Sequence, residues 1–182
     1  MSNAVIGKLR PVFYSKEIPV VLFGKWKKVY LALMNYHNDL GEEFKEIFSP
    51  KVFSYSVREA FLFFSGLTLA TYAILAKNIN REAQNKFATF QLDGIYQHYC
   101  PQGKPTMYEI SEMLEERQNE LIEIVAKSVS GEKNAKEALE EMTNTVFKNI
   151  FDKDEDQYAI VYPLLFSTLG EYMDKALNAF NR

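Results

Sequence analysis

The sequence predicts an all-α fold: a bundle of five to six helices around a central apolar helix at about residues 55–80, preceded by an extended arm. Residues 60–76 form a run of 17 residues without a charge. Most of the remaining chain repeats apolar residues at helical spacing, which indicates amphipathic helices. The alternation that is typical of half-buried strands is not prominent; residues 19–23 are the one strand-like string.

The apolar run must be buried in protein, in lipid or against a partner. As a helix it would be roughly 26 Å long, which is short for a bilayer core of about 30 Å. Polar and small residues, among them Ser65, Thr68 and Tyr72, lower its hydrophobicity. A helix that is apolar on all sides also occurs as the core of a globular protein. We therefore predict a core helix and no membrane span.

The N-terminal region predicts an arm followed by an amphipathic helix. Residues 1–19 contain two prolines and little helical pattern, so we expect an extended arm that packs on the body or on a neighbour. Residues 1–4 include Ser-Asn-Ala, which resembles a cloning scar, and no secretory signal is indicated. From Val20 to Phe48, apolar residues recur at spacings of three, four or seven: Leu22, Trp26, Val29, Leu33, Leu40, Phe44 and Ile47.

The middle of the chain contains the strongest break. Ser54 or Ser56 can cap the central helix, and the pattern allows that helix to continue toward Cys100. Residues 101–105 hold two prolines and a glycine. We interpret them as an internal loop of a single domain, residues 1–182, because each half is rather small to bury its own apolar faces.

Three further helices are predicted after this loop. Thr106 and Glu109 have the spacing of a capping box, and the helix they begin should end near Gly131. The next helix is expected at residues 132–151, and the last at 157–180. Pro163 should kink the last helix or mark a new first turn.

Composition excludes several classes of protein. Hydrophobic residues make up 47% of the chain, with 14 Phe and 11 Tyr, which argues against disorder. A single cysteine, Cys100, excludes an intramolecular disulfide and a multi-thiolate metal site, and it fits a cytoplasmic location. Residues 101–155 carry 7 basic and 13 acidic residues, which opposes nucleic-acid binding.

One candidate site lies on the central helix. Its hydroxyl residues fall within about a third of the helix circumference. They could bond back to helix carbonyls in a packed core, or they could supply the polar groups of a mostly apolar ligand pocket. The residues proposed for such a pocket are Phe61, Phe64, Ser65, Thr68 and Tyr72.

A second candidate is an acidic helix face. Its members align at spacings of three and four, and such a face could dock a basic partner, hold a hard cation or simply be solvated. No Glu-x-x-His pair accompanies it, so we predict no ferritin-like metal site. The face consists of Glu109, Glu112, Glu116, Glu120 and Glu123.

The two histidines and the cysteine complete the reactive residues. His37 lies on the apolar stripe of the first helix, where it is either a core-edge residue or a ligand or base. His98 and Cys100 lie at the end of a predicted helix, before a proline. Chemistry at these residues is the less favoured interpretation.

The sequence lacks a Gly-rich phosphate loop, a Gly-x-Ser-x-Gly motif and zinc-ligand spacing. We therefore predict a non-catalytic interaction or adaptor protein without a cofactor, which binds a protein partner or forms a homodimer, because aromatic residues favour interfaces. The alternative is a binder of an apolar small molecule or lipid beside the central helix. A third hypothesis is an enzyme that combines Glu109, Glu112 or Glu116 with His37 or His98.

Overall fold

The all-α prediction is confirmed. A computed structural model describes residues 26–49, 51–131, 134–151 and 155–180. These ranges contain six α-helices: α1 Trp26–Ile47, α2 Val57–Leu75, α3 Arg81–Tyr99, α4 Met107–Ser130, α5 Ala135–Ile150 and α6 Glu155–Phe180. A 3-10 turn, Pro101–Gly103, lies in the predicted internal loop. The predicted arm, including the residues that resemble a cloning scar, and the segment from Val20 to residue 25 lie outside the described residues.

Helix α2 occupies the centre of the bundle, as the apolar run predicts. Residues 60–72 are all buried. Helix α2 packs against each of the other five described helices. Among the described residues, it is also the one helix long and apolar enough to cross a membrane, but 72% of its most apolar window is buried inside the protein. Burial of this kind is what the core helix of a bundle requires.

The sequence pattern allowed the central helix to continue toward Cys100, but in the structure it ends at Leu75. Ser56 caps its start, and its hydroxyl accepts a hydrogen bond from the Glu59 amide at 3.3 Å. After Leu75 the backbone becomes extended, and α3 begins with Asn80 as its cap. The Tyr72 hydroxyl accepts from the Asn80 amide at 3.0 Å and donates to the Asn78 carbonyl at 3.1 Å. This turn separates the two helices.

The predicted capping box at the start of α4 is present. The Thr106 amide donates to the Glu109 carboxylate at 2.7 Å, and the Glu109 amide donates to the Thr106 hydroxyl at 3.3 Å. These bonds favour the charged carboxylate and lower the pKa of Glu109. Helix α4 ends before Gly131, whose φ of 77° is a left-handed conformation that glycine adopts without strain.

The last two helices differ slightly from the prediction. Helix α5 begins at Ala135, after the Asn134 side chain accepts from the Glu137 amide at 2.9 Å. Helix α6 begins at Glu155 and continues past Pro163 to Phe180. Proline therefore does not mark a new first turn here.

Helices α2 and α4 approach closely at Gly66. A β-carbon at Gly66 would lie 3.2 Å from the Arg117 β-carbon and 3.2 Å from the Gln118 backbone nitrogen. The nitrogen is part of the helix backbone and the β-carbon is bonded directly to it through Cα, so neither atom can yield as the end of a long side chain does. The crossing therefore depends on glycine.

Helices α1 and α6 are joined by two tyrosines, each of which donates a hydrogen bond to a backbone carbonyl of the opposite helix. The Tyr36 hydroxyl donates to the Tyr172 carbonyl at 3.0 Å, and the Tyr172 hydroxyl donates to the Leu40 carbonyl at 3.2 Å. Burial raises the pKa of both phenols, so both remain donors at neutral pH. Each tyrosine thus bonds to the backbone of the opposite helix.

We expect Gly66→Ala to lower the free energy of unfolding by about 1–3 kcal/mol, because the added methyl group forces α2 and α4 apart. This loss should exceed the gain of about 1 kcal/mol that alanine brings to a helix interior. Denaturant unfolding followed by circular dichroism measures the change.

Gly170→Ala is the matched control for this substitution. Its β-carbon would lie 3.4 Å from Leu139 Cδ2, the flexible end of a side chain, so we expect a change within about 1 kcal/mol. Equal or greater stability of Gly66→Ala than of the wild type would contradict the role assigned to the α2–α4 crossing.

Candidate ligand pocket

A predominantly apolar concavity lies at one end of the bundle. Its volume is about 430 Å³, within the range of about 300–1,000 Å³ that is typical of small-molecule sites. The last turns of α2, α4 and α6 meet the first two turns of α5 at this end. The apolar residues of its wall include Leu75, Val125, Val129, Leu139, Met142 and Leu177.

The pocket has a buried floor and an open rim. Val125 and Met142 are almost completely buried, whereas Val129 is 59% exposed and Leu177 is 44% exposed. Small residues in the wall, Ala138 and Gly170 among them, leave the space between α5 and α6 unfilled. An apolar molecule could therefore enter from the rim and contact the floor without a change of fold.

Two polar side chains line this otherwise apolar pocket among the described residues. Ser128 lies in the last turns of α4, and Asp174 lies on α6 one turn before Leu177. Few polar groups in an apolar wall are what small-molecule sites use to orient a ligand. Such an arrangement can bind an elongated apolar molecule with one polar end.

The residues that the sequence suggested for a pocket lie elsewhere. Phe61 and Phe64 line a narrow cleft with α1 residues, and its volume of about 10 Å³ is close to that of one water probe. Ser65 and Thr68 are fully buried, and the Thr68 hydroxyl donates to the Phe64 carbonyl at 2.8 Å. Tyr72 bonds to the turn after α2. Helix α2 reaches the larger pocket through Leu75.

The larger pocket was missed in the sequence because its lining is divided among four helices. Within each helix these residues have the same spacing as core residues. A usable signal was the apolar character of positions such as Val129 and Leu177 near helix ends, where a solvated residue would otherwise be expected.

The acidic face on α4 is largely engaged with its own neighbours. Glu109 closes the capping box, and Glu120 accepts from Arg117 and from Thr145 at 3.5 Å. Glu123 pairs with Lys127, and Glu112 bonds to the Tyr108 hydroxyl. Glu116 is exposed.

Metal-binding groups are not assembled in the described part of the chain. There, no three His, Cys, Asp or Glu side chains lie close enough together to hold a metal ion.

His37 is a core residue of the α1, α2 and α3 contact. It is fully buried, and its ring centroid lies 5.6 Å from that of Phe87 and 6.2 Å from that of Phe61. The imidazole bonds to the Phe64 carbonyl. Desolvation nevertheless dominates and lowers the pKa of His37 to about 4.

The residues named for a catalytic site are divided between the surface and the core. Glu109, Glu112 and Glu116 are exposed on α4, whereas His37 is enclosed in the core. His98 is exposed near the end of α3, and Cys100 is buried there. Burial raises the pKa of the Cys100 thiol, while the Arg58 charge opposes that effect. A neutral thiol is a poor nucleophile.

Comparison with protein-family models, with curated proteins and with solved structures found no match.

We expect the burial of His37 to make the protein less stable in acid. Its pKa of about 4 in the folded state lies below the ordinary 6.5, so the unfolded chain takes up a proton first as the pH falls. The stabilisation that the neutral His37 contributes is complete above about pH 6.5, and the free energy of unfolding should fall by roughly 3 kcal/mol by about pH 4. Denaturant unfolding at a series of pH values measures the loss.

His37→Gln is the control, because glutamine can donate to the Phe64 carbonyl but does not titrate. Its stability should depend less steeply on pH between about 6.5 and 4 than that of the wild type. The same slope in both proteins would show that protonation of His37 does not limit stability.

Proposed function

We propose that this protein binds an apolar small molecule or a single lipid chain in the pocket between the ends of α2, α4, α5 and α6. The observation that carries the proposal is the pocket of about 430 Å³ with a predominantly apolar wall. The ligand class is the one predicted as the alternative from the sequence. The site differs, because it lies beyond the hydroxyl residues of α2.

The energetics of burial support this proposal. Each 100 Å² of apolar surface removed from water stabilises a complex by about 2.5 kcal/mol before the costs of association. Val129 and Leu177 expose large apolar side chains at the rim, and an apolar ligand would cover them. The floor is already formed by packed helices, so a ligand orders little of the chain when it binds.

A Ser128→Trp variant tests the proposal by filling the pocket with an indole ring. We expect the wild type to take up Nile red, a neutral apolar dye, with enhanced fluorescence and to retain it in native mass spectrometry. The affinity of Ser128→Trp should be at least about tenfold lower, because the ring occupies the space of the ligand.

Ser111→Trp is the matched control for this experiment. Ser111 is exposed on the same helix, outside the pocket lining, and its substitution should leave dye binding unchanged. Equal binding by both variants, or no binding by the wild type, would contradict the proposal. Circular dichroism of each variant separates loss of binding from loss of fold.

A self-associating interaction protein, the function predicted first from the sequence, is the second candidate. One observation favours it: Tyr158, Ile160 and Leu164 are exposed by 44%, 60% and 42% near the start of α6. Ile160 and Leu164 are four residues apart and share a helix face. In a two-fold dimer the same patch meets itself, so such an aliphatic face suits a second copy of the chain.

A cytoplasmic location stays a prediction.

Sedimentation velocity tests this second candidate with Ile160→Lys. We expect the wild type to sediment as a dimer and Ile160→Lys as a monomer, because a buried unpaired lysine opposes association. Val52→Lys is the control, since Val52 is 74% exposed and lies outside α6. A monomeric wild type at high protein concentration would contradict self-association.

A further inference from the structure

We infer that the pocket selects an amphiphile with a cationic head, such as a long-chain primary amine, over one with an anionic head. The inference rests on the proposed function, because it names the chemistry of the ligand in that same pocket. It is carried by the position of Asp174 and by the direction in which the surrounding helices end.

Asp174 places a carboxylate in an otherwise apolar wall. Its backbone carbonyl accepts from the Asn178 side chain at 3.1 Å. No ion pair among the described residues includes its carboxylate. An ammonium group at the rim would therefore find a carboxylate whose charge is not already matched by a described cation.

Three lysines near the pocket are paired with other carboxylates, whereas Lys77, two residues after Leu75, is exposed and is in no ion pair among the described residues. Lys175, adjacent to Asp174, pairs with Glu43 on α1, and Lys127 pairs with Glu123 on α4. On α5, Lys136 lies 3.7 Å from Glu140. These pairs reduce the positive field at the rim, which would otherwise attract an anionic head.

The ends of the helices add to the negative potential. Helices α2, α4 and α6 all direct their C-termini toward this end of the bundle, where Leu75, Val129 and Leu177 line the pocket. Each C-terminus acts as about half a negative charge, and the N-terminus of α5 opposes them with about half a positive charge. Three of the four helix ends that line the pocket are therefore negative, and the N-terminus of α3, which follows Leu75 by six residues, reduces their effect.

A bound amine would have a defined orientation. Its chain would contact the floor around Val125 and Met142, which is apolar and buried. Its ammonium group would lie at the rim, where it can donate to the Asp174 carboxylate and to the Ser128 hydroxyl. A carboxylate head in the same position would be repelled by Asp174.

Displacement of Nile red by dodecylamine, dodecanol and dodecanoate, each below its micelle concentration, tests the inference. These probes share one chain length and carry a positive, a neutral and a negative head at neutral pH. We expect the wild type to bind dodecylamine roughly three- to tenfold more tightly than dodecanoate. Added salt should reduce this ratio because the rim is exposed to solvent.

Asp174→Asn removes the charge with little change of shape. We expect it to lower the ratio of the affinities for dodecylamine and dodecanoate toward one. Asp93→Asn, at an exposed position of α3 outside the pocket lining, should retain the wild-type ratio.

Binding of the neutral probe, dodecanol, distinguishes failure of the inference from failure of the proposed function. If dodecanol binds but dodecanoate is bound as tightly as dodecylamine, or if Asp174→Asn keeps the wild-type ratio, the inference is overturned while the proposed function stands. If dodecanol and the dye both fail to bind, the proposed function fails and the inference fails with it.

Discussion

Complete burial of α2 is the constraint on which the other helices depend. Residues 60–72 have no solvated face, so polar atoms there can find hydrogen-bond partners only inside the protein. The Thr71 hydroxyl donates to the Leu67 carbonyl at 2.7 Å, and the Thr68 hydroxyl donates to the Phe64 carbonyl at 2.8 Å. Gly66 lets α4 approach the backbone closely. The surrounding helices need one apolar face each, which explains their ordinary amphipathic patterns.

Enclosure of the central helix also determines where an apolar pocket can form. Along most of its length α2 is in contact with side chains from its neighbours, and the cleft beside Phe61 and Phe64 is very small. At Leu75 the helix ends while α4 and α6 continue beside α5. The space left beyond Leu75 is filled incompletely by small residues. The pocket thus forms because α4 and α6 extend beyond the end of α2.

Much of the fold could be predicted from local patterns. The uncharged run identified the core helix, and Thr106 with Glu109 identified the start of α4, because both signals lie within one or two helical turns. The turn after Leu75 was ambiguous, since its hydrogen bonds depend on the Tyr72 hydroxyl. The pocket could not be predicted, because its wall combines Leu75, Val129, Leu139 and Leu177 from four helices whose packing no local pattern specifies.

The hydrogen bonds donated by the Tyr36 and Tyr172 hydroxyls constrain the order in which the chain can fold. They join residues 136 and 132 positions apart, so the segment between must be closed into a loop before either bond forms. During synthesis, α1 emerges long before α6 exists. The face of α1 around Tyr36 and Leu40 consequently remains without α6 until translation has passed residue 172. A ribosome-bound chain shorter than this carries an uncovered helix face, to which a chaperone could bind.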